Sequence, residues 1–243
     1  EFLVKIGYNI IGNTLSMDAY VYHVPQRELV LGRSYSAPIK DLRGIGHKFC
    51  NDLVEKLAGQ KGFFLTKLAV SRSTGKNEKD IFIMDWDGEN VRPVTNFKTI
   101  SQSPSWSMDG RYVAYTSFLF HKKRKTRNAD LFMYDTQTGK HTPLSARKGI
   151  NSSAAFMPDG QTAIIRLSPN NGTSDLYTLD LNDKSITPIT NGPRGAMNVE
   201  PALTTDGRKL AFSSDRGGRP MIYTMDLPNG TPQRLTYAGY YNA

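Results

Sequence analysis

The run SPSWSMDGRYVAYTS, residues 103–117, decides the fold together with LFMYD, residues 131–135, and HTPLS, residues 141–145. These residues form four short segments rich in β-branched, aromatic and alternating apolar side chains, which is the composition of β-strands. Asp109-Gly110 separates the first segment from the second, and Asp-Gly favours the tight turn of a hairpin because both residues tolerate positive φ. The run therefore predicts four successive antiparallel strands.

The same arrangement recurs throughout residues 61–243. Copies of the third strand each end in an aspartate, at intervals of 50, 45 and 46 residues: IFIMD (81–85), LFMYD (131–135), LYTLD (176–180) and IYTMD (222–226). Each copy is preceded by one strand (67–71, 112–117, 163–168 and 209–214) and followed by another (91–95, 141–145, 186–190 and 232–236). Three copies have a further, innermost strand before an Asp-Gly pair (103–107, 153–157 and 200–204). A four-stranded unit repeated at this interval is typical of a β-propeller blade, whereas an antiparallel sandwich has no reason to repeat residue identities at a fixed period.

Residues 1–60 predict a small α/β unit. Three segments have the composition of strands: 2–10, 14–24 and 28–35. In residues 39–58 apolar side chains recur at helical spacing, and Gly59 follows as a stop signal. We expect three strands and one amphipathic helix whose apolar side packs on them.

Both regions resemble the TolB family. EPALTTDGRKLAFSSDRGGRPMIYTMDLPNGTPQRLT (200–236) is similar to the blade repeat of that family. LVLGRSYSAPIKDLRGIGHKFCNDLVEKLAGQKGFFLTKLAVSR (29–72) resembles the end of its amino-terminal α/β domain running into the first blade. The resemblance implies that residues 1–60 are the C-terminal part of that domain and that residues 61–243 are four blades of an expected six. No leader precedes the first strand, so we expect a fragment of a longer protein with an incomplete ring.

No motif for catalysis is apparent. The chain has no G-x-S-x-G, no His-Glu-x-x-His and no P-loop sequence, and its four histidines are scattered. The single cysteine, Cys50, excludes an internal disulfide and a cysteine-based zinc site. The repeated aspartates stand at turns and strand ends, where they bond the turn backbone, so nothing supports a cation in a channel. We therefore expect a protein that is not an enzyme and has no cofactor or metal.

Propeller topology places the loops before each innermost strand at one face, around the channel mouth. Aromatic and amide side chains there suit capture of a peptide or loop of a protein partner, and they include Asn151, Asn198 and Tyr241. The TolB resemblance implies that this mouth binds the peptidoglycan-associated lipoprotein Pal and that colicins imitate Pal. Matching motif positions then place partner contacts at Ile150, Ser153, Val199 and Glu200.

A basic run, HKKRKTR (121–127), lies in a loop that projects from the same face. It supplies five cations of a chain whose formal net charge is +9: Lys122, Lys123, Arg124, Lys125 and Arg127. The run could be a solvated insertion, could attract an acidic partner, or could touch an anionic polymer of the cell envelope. Nucleic-acid binding is disfavoured because no interleaved aromatics or reading motif accompany the run.

The resemblance implies a scaffold of the Tol–Pal system in the periplasm of a Gram-negative bacterium, supporting outer-membrane integrity and cell division. A TolA-like inner-membrane protein would bind an amino-terminal segment that this chain lacks. No run approaches the roughly 18 apolar residues of a membrane-spanning helix, so we expect a protein that is not embedded in a membrane. The alternative is the propeller of a prolyl-oligopeptidase-type serine peptidase whose catalytic domain lies outside this chain.

Overall fold

The computed structural model describes residues 1–123, 125–169, 173–193 and 195–242. Within these residues the chain forms strands, one α-helix and a short 3-10 helix (Ile39–Asp41). The elements in chain order are β1 (Phe2–Ile11), β2 (Thr14–His23), β3 (Glu28–Pro38), α1 (Leu42–Ala58), β4 (Lys67–Gly75), β5 (Glu78–Asp85), β6 (Arg92–Pro93), β7 (Ser101–Trp106), β8 (Tyr112–Ser117), β9 (Phe120–His121), β10 (Thr126–Arg127), β11 (Asp130–Asp135), β12 (His141–Ser145), β13 (Ile150–Phe156), β14 (Thr162–Ser168), β15 (Asp175–Asp180), β16 (Ile186–Pro188), β17 (Asn198–Leu203), β18 (Lys209–Ser214), β19 (Met221–Asp226) and β20 (Gln233–Arg234). The chain divides into two compact units, unit 1 with residues 1–68 and 84–91 and unit 2 with residues 69–83 and 92–243.

Unit 1 contains the three-stranded antiparallel sheet β1-β2-β3 and the helix α1. The alternating apolar residues of β2 are buried together with Ile45 and Phe49 of the helix, which confirms the predicted strands and amphipathic helix. Gly59 ends the helix in the left-handed conformation at φ 65°. Three members of the apolar stripe predicted over residues 39–58, namely Ile39, Leu42 and Leu57, are exposed, and Cys50 is half-buried. No helix among the described residues is both long enough and apolar enough to span a bilayer.

Among the described residues, unit 2 contains the two-stranded hairpin β9-β10 and four larger antiparallel sheets, three of which have four strands. Their orders are β4-β5-β6, β7-β8-β11-β12, β13-β14-β15-β16 and β17-β18-β19-β20, with β4 and β5 also contributing residues to unit 1. The strand pairings confirm the repeated antiparallel unit that the sequence predicts. We call the first strand of each four-stranded sheet its inner strand.

Each inner strand begins two or three residues earlier than predicted and contains a β-bulge. The register shifts between Gln102 and Ser105 in β7, between Ser152 and Ala154 in β13, and between Val199 and Ala202 in β17. The bulged residues have positive φ, at 53° for Ser103, 48° for Ser153 and 53° for Glu200. Because an extra residue is inserted there, the strand continues beyond the break in the alternating pattern.

The cores of unit 2 lie between consecutive sheets. Ile81 and Ile83 of β5 pack with Val113 and Tyr115 of β8. Similar clusters join the second sheet to the third and the third to the fourth. The apolar alternation of the middle strands therefore places packed side chains on both faces of the second and third sheets.

The last strand is shorter than predicted in three sheets, with two residues in the first and fourth sheets and three in the third. A threonine hydroxyl completes the pairing there, since the amide of Ile81 donates to Oγ1 of Thr95 at 2.9 Å. Leu176 and Thr190 repeat this bond at 2.9 Å, and Ile222 and Thr236 repeat it at 3.0 Å. The hydroxyl of the recurring threonine thus accepts a backbone hydrogen bond at the edge of these three sheets.

The aspartates at turns bond the backbone, as predicted. Oδ1 of Asp109 accepts from the amide of Arg111, and Oδ1 of Asp159 accepts from the amide of Gln161. The glycines of the three Asp-Gly turns have φ between 66° and 69°. The strand-end residues Asp135 and Asp180 likewise accept from amides of the turns that follow them. Within the described ranges, no three His, Cys, Asp or Glu side chains cluster in a way that could hold a metal ion.

Candidate partner-binding face

Corresponding ends of the sheets lie on the same side of unit 2. The amide of Asn151, at the start of β13, donates to the carbonyl of Ala129, which precedes β11 of the second sheet. The amide of Asn198, at the start of β17, donates to the carbonyl of Ser174 in the same way. We call this side face A. It contains the starts of the inner strands, the loops between the second and third strands of the four-stranded sheets, and the equivalent loop between β4 and β5. Face B is the opposite side, with the turns at Asp109, Asp159 and Asp206.

Two predicted contact residues meet at the inner strands. Oγ of Ser153 donates to Oε1 of Glu200 at 3.2 Å, so a hydrogen bond joins the bulges of β13 and β17. Glu200 is exposed, whereas Ser153 is only 6 % exposed. Burial lowers the pKa of the neighbouring Arg166, and the charge of Glu200 opposes that shift. The bulges thus present one oriented carboxylate to solvent beside a half-buried guanidinium.

Asn151 is fully buried and serves the loop before β13. Its Oδ1 accepts from Oγ of Ser145 at 2.6 Å and from the amide of Arg147 at 3.1 Å. Its Nδ2 donates to the carbonyls of Ala129 and Arg147, at 3.0 and 2.8 Å. The side chain therefore ties the inner strand of the third sheet to the second sheet.

Asn198 has the equivalent place in the fourth sheet and is also fully buried. Its Nδ2 donates to Oδ1 of Asp175 at 2.9 Å, and its Oδ1 accepts from Arg216 at 2.6 Å. Asp175 also accepts from the hydroxyl of Thr190 at 2.8 Å. Neither asparagine side chain is on the surface, although both residues mark the rim of face A.

The other predicted contact residues differ in exposure. Ile150 is 40 % exposed and Val199 is half-buried, and each precedes the bulge of its inner strand. Tyr241 is 71 % exposed, and the guanidinium of Arg219 lies 4.6 Å from the ring centroid of the adjacent Tyr240. Face A therefore carries apolar, aromatic and acidic groups around the inner strands.

The predicted basic loop contains a short hairpin formed by β9 and β10. Nη1 of Arg127 donates to Oγ1 of Thr99 and to the carbonyl of Phe118, each at 3.0 Å. Arg127 is thus anchored, whereas Lys122, Lys123 and Lys125 are exposed and Arg124 lies outside the described residues. His121 contacts the buried Asp130 at the base of the same hairpin.

The repeated sheets also occur in known proteins. A family model described as the TolB beta propeller domain matches residues 54–243. The chain belongs to the TolB β-propeller family. A TolB relative, the Tol-Pal system protein TolB of Francisella tularensis subsp. mediasiatica, is 34 % identical over 199 residues, which are 79 % of this chain and 44 % of that protein.

Solved structures agree with a TolB fold. The crystal structure of TolB from Acinetobacter baumannii is 28 % identical, with a TM-score of 0.87 over 100 % of this chain and 59 % of that one. A structure from a study of two prolyl endopeptidases is 12 % identical, with a TM-score of 0.51 over 97 % of this chain and 36 % of that one, and shows the fold alone. This TolB-type chain spans less than half the length of the curated relative and more than half of the Acinetobacter protein.

Proposed function

We propose that this protein is a non-catalytic component of the Tol–Pal system that binds the peptidoglycan-associated lipoprotein Pal at face A. The observation that carries the proposal is its membership of the TolB family, with a relative named as a Tol-Pal system protein at 34 % identity. Under this proposal it acts in the periplasm, supports outer-membrane integrity and cell division, and is a target of colicins. The prolyl-oligopeptidase alternative rests on fold likeness alone.

The architecture of the whole protein is part of the proposal. The four sheets of unit 2 would be four blades of a six-bladed ring, and unit 1 would belong to an amino-terminal α/β domain. A TolA-like inner-membrane protein would bind a segment of the parent outside this chain. The sequence of the parent gene tests this point, since two further blades and no catalytic motif are expected. A G-x-S-x-G motif after a strand in that gene would favour the peptidase instead.

Contacts with Pal would centre on the exposed groups around the bulges, namely Ile150, Val199 and Glu200, with Ser153 orienting the Glu200 carboxylate. Tyr241 would add aromatic area at the rim, since tyrosine combines a large apolar ring with a polar end. The buried Asn151 and Asn198 would act indirectly, because their hydrogen bonds fix the starts of the inner strands. Backbone groups held in place in this way offer a preformed surface to the partner.

Isothermal titration calorimetry of the chain with the Pal domain of the same organism tests the proposal by measuring the binding affinity. We expect a saturable complex, and Glu200→Ala should weaken it by about 1–2 kcal/mol, the effect of an interface residue of moderate weight. Glu28→Ala, which removes an exposed carboxylate at the start of β3, is the matched control and should leave the affinity unchanged. If the unsubstituted chain forms no complex, the proposed function is wrong. An unchanged affinity in Glu200→Ala alone would exclude that residue from the site.

A further inference from the structure

The net charge of the chain resides entirely in unit 2. Residues 69–83 and 92–243 contain 22 lysines and arginines against 13 aspartates and glutamates, a difference of nine. Unit 1 has nine of each sign and is balanced. The excess positive charge is therefore a property of unit 2 alone.

The acidic groups of face A are mostly withdrawn from solvent. Asp130 is 1 % exposed, and Asp80 is 4 % exposed and accepts from Oγ1 of Thr95 at 2.7 Å. Asp175 is half-buried among the donors already described, and Asp215 accepts from the amide of Met197 at 2.7 Å. Among the described residues of face A, Glu200 is the one exposed acidic side chain.

Most basic groups of face A remain at the surface, whereas Arg147, Arg166 and Arg216 are half-buried. They come from loops and strand residues of all four sheets and of the β9–β10 hairpin. The exposed ones that the structure describes are Arg72, Lys76, Lys79, Lys98, Lys122, Lys123, Lys125, Arg127, Lys148 and Arg219. Face B is different, because its turns carry exposed aspartates and cations in similar numbers. Asp226, for example, pairs with Lys209 at 2.6 Å. The positive field of unit 2 therefore points outward from face A.

The hairpin of β9 and β10 carries three of these lysines, and hydrogen bonds anchor its base. Pairing of Thr126 with His121 closes it, and the bonds from Arg127 to Thr99 and Phe118 anchor its base. Within the part of the chain that the structure describes, Lys122, Lys123 and Lys125 form no salt bridge. Their charge is thus available to an incoming molecule.

We propose that face A is a steering surface for an acidic protein, with the lysines of the β9–β10 hairpin as its strongest element. The exposed carboxylate of Glu200 among the cations favours an acidic polypeptide, which can place an N–H donor opposite it, over DNA, whose phosphate backbone carries no donor. This inference rests on the proposed function, in which a protein docks at face A. Under this inference the partner surface is acidic, and the hairpin increases the rate of association.

Stopped-flow association with the Pal domain tests the hairpin. The variant Lys122→Gln/Lys123→Gln/Lys125→Gln removes three charges from face A, and Arg92→Gln/Lys140→Gln/Arg208→Gln removes three exposed charges from face B as the matched control. At about 0.1 M salt we expect the hairpin variant to associate about three- to tenfold more slowly, with dissociation unchanged, because steering acts on the encounter. At about 1 M salt, where the Debye length is roughly 3 Å, the difference should vanish. Equal slowing in both variants, or an unchanged association rate in the hairpin variant, overturns the inference.

A second measurement separates this inference from the proposed function. Fluorescence anisotropy with labelled poly-L-glutamate probes an acidic polypeptide directly, whether or not Pal binds. We expect the unsubstituted chain and the face B control to bind it equally, and the hairpin variant to bind it more weakly by a similar factor. Failure of Pal to bind would refute the proposed function alone. Equal polyglutamate binding by both variants, no binding by any chain, or tighter binding of a DNA oligonucleotide than of polyglutamate would overturn the acidic-protein inference.

Discussion

Replacement of Asn198 by alanine should destabilise unit 2 by about 2–4 kcal/mol. The side chain donates to the Asp175 carboxylate at 2.9 Å and accepts from the Arg216 guanidinium at 2.6 Å. A hydrogen bond to a charged group contributes about 1.5–3 kcal/mol, and loss of a partner leaves the other group desolvated. Asp175 keeps the hydroxyl of Thr190 at 2.8 Å, so the total stays below the sum of two full bonds.

Thermal unfolding followed by circular dichroism measures this loss. For a chain of this length about 1 kcal/mol corresponds to roughly 2–4 °C, so the Asn198→Ala variant should unfold roughly 5–15 °C below the unsubstituted chain. Asn182→Ala is the matched control, since Asn182 is exposed in the turn after β15, and it should change the stability by less than about 0.5 kcal/mol.

A loss below about 0.5 kcal/mol for Asn198→Ala would refute the reasoning, because a buried amide between two charged groups cannot be removed without a penalty. The opposite behaviour is expected of Glu200→Ala, which should weaken Pal binding while leaving the melting temperature near that of the unsubstituted chain. Together the two variants separate residues that build face A from residues that touch a partner.

Three further predictions concern single side chains. Gly110→Ala and Gly207→Ala introduce a Cβ at the same turn position and at the same φ of 69°, but only at Gly207 would that Cβ lie 2.6 Å from Cδ of Pro158. Urea unfolding should show a loss of stability of about 1–2 kcal/mol for Gly110→Ala and a larger loss for Gly207→Ala. Equal losses for the two variants would contradict the packing of Gly207 against Pro158. Thr190→Val removes the acceptor for the Leu176 amide and the donor to Asp175, so it should cost about 1–3 kcal/mol, whereas the exposed Thr187→Val should cost less than about 0.5 kcal/mol in the same assay. The hydrogen bond from Arg111 lowers the pKa of Asp135 to about 2, below its value of about 3.9 in an unfolded chain, so its contribution is present above about pH 4 and is lost as the pH falls towards 2. Asp135→Asn should therefore flatten the fall of the melting temperature between about pH 4 and 2, and an unchanged slope would show that this pair does not stabilise the fold.

The repeat made most of the fold predictable from sequence. Strand segments, their order and the Asp-Gly turns follow from local composition, since apolar alternation and positive-φ glycine act over a few residues. Composition predicts the last strands of the first, third and fourth sheets too long, because the threonine that ends each predicted segment, such as Thr95, looks like an ordinary strand residue. Only the position of the Ile81 amide opposite the Thr95 hydroxyl shows that this hydroxyl replaces a backbone acceptor.

The candidate site was less predictable. Asn151 and Asn198 look like exposed loop amides in the sequence, and their burial depends on residues of the preceding sheet, such as Ala129 and Asp175. The bulges at Ser153 and Glu200 have no local signal, because neither residue type favours positive φ. The basic run indicates a charged loop in the sequence, but the anchoring of Arg127 depends on Thr99 in another loop.

Hydrogen–deuterium exchange of the chain with and without the Pal domain tests the central claim most directly, because it maps the footprint of the partner. We predict slower exchange at face A, in the loops before the inner strands (97–102, 147–152 and 192–199) and in the β9–β10 hairpin, with no change at the turns of Asp109, Asp159 and Asp206. Protection centred on those face B turns, with face A unaffected, would contradict the account.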